Sequence, residues 1–100
     1  MVDKIRLLGK NFTIKHMTGK ELTNEVNSFQ RLNGYIDYNQ AIIYLANDMD
    51  IQSQHSTLIH EVLHGLFQDL AEEWIEEAEL KIYAFIKDNP QFIKEVIECN

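Results

Sequence analysis

The sequence predicts an α+β domain: a small N-terminal β-sheet followed by a run of helices. Three observations carry this. Short β-branched and apolar runs separated by turn residues fill the first half of the chain. From residue 53 onward the apolar residues recur at steps of three and four, the spacing of one helix face. The pentapeptide His60-Glu61-Val62-Leu63-His64 lies inside the first of these helical stretches.

Composition sets the frame. One hundred residues suit a single domain spanning 1–100, with 45% apolar residues and one proline. A net charge of −7 argues against a nucleic-acid backbone or an anionic membrane as partner and leaves a protein or peptide. Cys99 is the only cysteine, so an internal disulfide and a four-cysteine zinc site are excluded. A reducing cytoplasmic location is expected, because the N-terminus lacks a signal-peptide core and no apolar run approaches bilayer length.

In chain order, Lys4 to Leu8 and Phe12 to His16 read as a hairpin turning at Gly9-Lys10-Asn11. Thr18 to Leu32 reads as a helix. Thr18 and Glu21 form a capping-box pattern, Leu22, Val26 and Phe29 share a face, and Asn33-Gly34 is the stop. Tyr35 to Tyr38 and Ala41 to Ala46 form a second strand pair around Asn39-Gln40.

The helix carrying the pentapeptide is expected from Ser53 to Leu70, capped by Asp50 or Ser53. Leu58, Ile59, Val62, Leu63, Leu66, Phe67 and Leu70 make its apolar stripe, and the two histidines flank it. Gly65 sits where alanine would favour the helix by roughly 1 kcal/mol, which implies close approach by a neighbour. Ala71 to Lys87 is a second helix, with Ile75, Ala78, Ile82 and Ile86 on one face and five glutamates crowding its first half. Asp88-Asn89-Pro90 starts a last helix, with Phe92, Ile93, Val96 and Ile97 as its apolar face.

Two histidines four residues apart lie one helical turn apart and can converge on one metal ion, with Glu61 beside it. Catalytic zinc takes three protein ligands and leaves a fourth position for water, so His60 and His64 need a partner. His16 and His55 are available in principle. A histidine six residues after the second one is excluded, because that position is Leu70. The acidic helix offers Glu72, Glu73 and Glu76, and periodicity does not choose among them. Zn2+ would lower the pKa of its bound water, and Glu61 would act as general base on that water and return the proton to a leaving amine. A further glutamate is a candidate hydrogen-bond partner for a ligand histidine, and Tyr83 or His55 for an oxyanion.

The runs Gly34-Tyr35-Ile36-Asp37-Tyr38, Gln40-Ala41-Ile42 and Ser56-Thr57-Leu58-Ile59-His60-Glu61-Val62-Leu63-His64 resemble the small phage and prophage HExxH proteins. These are related to the ImmA/IrrE-like metallopeptidases and the minimal gluzincins. The downstream Ile75-Glu76, Ile82-Tyr83 and Asp88-Asn89-Pro90 share the likeness. The resemblance implies a zincin-like fold with a small sheet, an active-site helix, a glutamate helix and a short C-terminal helix. It also implies a zinc metallopeptidase. The ligand pattern Val-Glu-x-x-Ala-x-x-Phe of the related peptidases maps onto Ile75 to Ile82 and makes Glu76 the third ligand, with Glu72 and Glu73 in reserve. This chain departs from the pattern, with Glu79 where the alanine would stand. The alternative function is a catalytically latent zinc-binding module that partners a phage regulatory protein.

Overall fold

A computed structural model describes residues 1–99. The strands are β1 (Lys4–Leu7), β2 (Lys10–Met17), β3 (Gly34–Asp37) and β4 (Ile42–Ala46). The helices are α1 (Gly19–Glu25), α2 (Ile51–Leu66), α3 (Glu72–Asp88) and α4 (Pro90–Glu98). The strands form one mixed sheet in the order β1-β2-β4-β3. Both expected hairpins are present and antiparallel. Between them, β2 pairs with β4 in parallel, Ile14 opposite Ile43, an arrangement that strand composition does not announce.

Central β4 is apolar on both faces because both are covered. Ile43 and Leu45 join Leu7, Phe12, Ile14, Ile36 and Leu58 in the core beneath α2. Tyr44 and Ala46, pointing the other way, meet Leu22 of α1, with Met17, Val26 and Leu32 around them. β3 is left at the sheet edge.

Several boundaries differ from expectation. The first turn is Leu8-Gly9, not Gly9-Lys10-Asn11: Asn11 already pairs with Arg6. Leu8 and Gly9 both have positive φ, 49° and 81°, as a two-residue hairpin loop of type I′ requires. A leucine in that conformation costs about 1–2 kcal/mol, so propensity points elsewhere.

α1 starts as expected. Thr18 accepts from the Glu21 amide and Glu21 accepts from the Thr18 amide, each at 3.1 Å. It stops at Glu25, well before Leu32. Asn27 turns left-handed at φ 61°, its amide donates to Asn24 O, and the Ser28 amide donates to Thr23 O. This is a Schellman closure with asparagine in the glycine position. Phe29, beyond that stop, is fully exposed rather than on a helix face. Asp48 pins the segment, accepting from the Gly19 amide and from Arg31, each at 3.0 Å.

α2 is capped by Asp50, whose carboxylate accepts from the Ser53 amide at 3.2 Å. The helix closes at Leu66 with Phe67 as its cap, so Phe67 and Leu70 leave the expected stripe and are exposed. Gly65 is needed where α2 crosses the sheet, since a Cβ there would lie 2.6 Å from Leu7 Cδ1. α3 docks on α2 through Ile75, which is fully buried. Of α4, no described residue is buried. Among the described residues no helix is long and apolar enough to cross a membrane.

Candidate metal centre

α2 places His60 and His64 one turn apart with their Nε2 atoms 3.2 Å from each other. Their side chains are 17% and 25% exposed, at the margin between core and cleft where the sequence puts them. α3 runs back along α2 and brings its first turn to the same point. Glu72 Oε1 is 2.8 Å from His60 Nε2 and Glu72 Oε2 is 2.7 Å from His64 Nε2. His60, His64 and Glu72 are the group of side chains that could hold a metal ion among the described residues.

The carboxylate brought to the histidines is therefore Glu72 and not Glu76, which is exposed and does not line the cleft. The reason lies in the phase of α3. Buried Ile75 fixes which side faces α2, and residues three before and four after it share that side. These are Glu72 and Glu79. Glu76, one residue past Ile75, is rotated away, as is exposed Glu73.

Glu79 completes the arrangement from the other end of the same face. Its Oε1 accepts from His60 Nδ1 at 2.8 Å, and its Oε2 accepts from the Ser56 hydroxyl. That bond fixes the His60 tautomer, with the proton on Nδ1 and the lone pair on Nε2 aimed at Glu72 and His64. A neutral His60 therefore contributes electron pairs, not a proton, to a point already faced by a carboxylate. Such convergence is repulsive until a cation or an extra proton occupies it. Burial opposes charging His60, yet the Glu79 hydrogen bond and the charges of Glu61, Glu72 and Glu79 outweigh it, so the imidazole pKa is raised.

Glu61 lies beside this point, 7% exposed. Burial pushes its carboxyl up to about 7; Glu72 and Glu79 add to the rise, and His60 opposes it. A carboxyl in that range can exchange a proton near neutral pH. Gly34 makes room for it, because a Cβ there would come within 2.9 Å of Glu61 Oε2 and 2.8 Å of Thr57 Cγ2.

The cleft has a volume of about 800 Å3, with β3 forming one wall and the two histidines, Glu61, Glu72 and Glu79 the other. Tyr38, which sequence reasoning passed over, also lines it. Its hydroxyl donates to the His64 carbonyl at 2.6 Å, tying the β3–β4 loop to the end of α2. Burial, and secondarily the Glu61 charge, raises its pKa, so it remains a donor. The expected oxyanion candidates lie elsewhere: His55 and Tyr83 line a separate groove between α2 and α3. His16, on β2, bonds to the Val2 carbonyl and is absent from the cleft wall.

Comparison with protein-family profiles, curated proteins and solved structures produced no match for this chain.

The donor set suits a metal ion. Two imidazoles and a carboxylate, with a fourth direction open to the cleft, form the ligand set of catalytic zinc sites. The orienting carboxylate behind one imidazole is a regular part of such sites.

Proposed function

We propose that this chain is a zinc-dependent peptidase that holds Zn2+ with His60, His64 and Glu72. The observation that carries the reading is the convergence of three electron-pair donors beside a buried carboxylate in an open cleft. A purely structural zinc site has no use for Glu61, whose burial is destabilising without a task. Zinc bound there supplies a Lewis acid and a water of lowered pKa.

The chain's own residues do the rest. Glu79, held by Ser56, keeps the His60 lone pair aimed at the site. Glu61 accepts the proton of the attacking water and, then neutral, returns it to the departing amine. The Tyr38 bond holds the last turn of α2, and with it His64, against the sheet. A peptide substrate is favoured over a small amide because β3 is an edge strand along the cleft wall. Its free backbone groups offer an extended chain a hydrogen-bonding partner.

The test is metal analysis of the purified protein beside His60→Ala and Glu61→Gln, followed by cleavage of a peptide library. The expectation is zinc in wild type and Glu61→Gln, little in His60→Ala, and cleavage by wild type alone. Absence of zinc binding by wild type at neutral pH ends the proposal. Zinc without cleavage by wild type would instead favour the latent binding module.

A further inference from the structure

α4 is a helix without a partner. Of its apolar face, Phe92 touches only the Phe85 ring at its near end and Ile93 is half-buried, while Val96 is 58% and Ile97 75% exposed. Nearby, α2 and α3 leave between them a groove of about 240 Å3 walled by Leu58, Ile59 and Ile86 and rimmed by His55, Tyr83 and Lys87. An apolar helix face and an apolar groove are complementary in kind.

We propose that α4 of one copy of this chain docks into the α2–α3 groove of a second copy, and reciprocally, to form a two-fold dimer. Three features select this occupant. First, α4 is held away from its own groove. Only Asn89 separates α3 from α4, whereas an antiparallel helical hairpin uses a loop of about two to five residues. The Asn89 side-chain amide Nδ2 donates to Phe85 O at 2.9 Å, and the Phe85 and Phe92 rings meet edge to face at 6.0 Å, fixing that angle.

Second, the charges match. In a chain of net charge −7 the groove rim carries Lys87 and an imidazole and no carboxylate. Glu95 borders the apolar face of α4, and Glu98 closes the helix. Third, the size is sufficient. Ile86 on the groove and Phe92, Val96 and Ile97 on α4 are each more than a third exposed. Together they offer apolar surface of the same order as the apolar share of a standard interface per partner. Because each copy carries both helix and groove near the same end, exchange closes on itself and does not propagate.

Sedimentation velocity and light scattering on the full chain, from about 1 to 100 μM, test this. Wild type should be a dimer within that range. Ile97→Glu and, as an independent copy of the perturbation, Val96→Glu should raise the dissociation constant at least about tenfold while circular dichroism stays native, since both side chains are exposed in the monomer. Lys87→Glu should weaken the dimer about three- to tenfold, and adding Glu95→Lys should restore it. A wild type that stays monomeric overturns the proposal and leaves the face to a different protein. A dimer indifferent to Lys87→Glu, or not rescued by the charge exchange, pairs α4 with something other than the groove and overturns it as well.

Discussion

The sharpest consequence of the phase of α3 is a ranking among three glutamates that look alike in the sequence. Replacing Glu72, Glu79 or Glu76 by glutamine removes one charge each time and changes volume little. Glu72 contacts both histidines at 2.7–2.8 Å and would be a ligand. Zinc sites with four protein ligands bind with about 10–16 kcal/mol, roughly 2.5–4 kcal/mol per ligand, so Glu72→Gln should weaken zinc binding by about 10^2- to 10^3-fold. Glu79 acts through His60, and loss of such a supporting hydrogen bond costs about 10- to 100-fold. Glu76 is exposed and away from the cleft, so Glu76→Gln should change affinity less than about threefold. Competition with a chromogenic chelator at neutral pH measures all three, and circular dichroism checks the fold. Equal losses in the three variants would mean that a diffuse acidic field holds the metal. A larger loss for Glu76 than for Glu72 would refute the assigned phase of α3.

Gly34→Ala should impair catalysis and leave zinc content intact, because the added methyl collides with Glu61 and Thr57 rather than with a ligand; a drop of about tenfold or more in kcat with unchanged bound metal is the expected pair of readings. Leu45→Ala, at a fully buried site on the central strand, should destabilise the domain by about 2–5 kcal/mol in urea unfolding, whereas Leu80→Ala at an exposed site should stay within about 0.5 kcal/mol. The Asp50 carboxyl is held below its usual range by the Ser53 hydroxyl and amide, and that of Asp48 by Arg31 and the Gly19 amide. For both, the folded pKa lies under the unfolded one, so their contribution is present above about pH 4 and is lost as pH falls through the depressed values. Thermal unfolding followed down from pH 5 should show less acid sensitivity in Asp50→Asn and Asp48→Asn than in wild type.

The local half of this protein is written in its residues. The Thr18–Glu21 capping box, the Asp50 cap, the proline that opens α4 and the three-and-four spacing of α2 and α3 act within a few residues of themselves. The histidine pair belongs with them: a spacing of four on a helix is enough to bring two imidazoles together. Where local preference was overridden, the structure departs. Leu8 takes a left-handed turn because the hairpin register demands it, and Asn27 ends α1 through a closure usually left to glycine.

What the tertiary structure decided is everything that depends on two segments meeting. The parallel pairing of β2 with β4 needs α1 between them, and no strand announces its neighbour. The third member of the candidate site is the clearest case. Periodicity does not choose among Glu72, Glu73 and Glu76: Glu73 points away from the apolar face of the helix, while Glu72, Glu76 and Glu79 lie nearer its edges. Burial of Ile75 against α2 sets the rotation of α3 to one value, and that rotation presents Glu72 to the histidine pair, sets Glu79 behind His60 and turns Glu76 to solvent. Residue types and spacing determine which chemistry is available; the docking of one helix on another determines which residues take part.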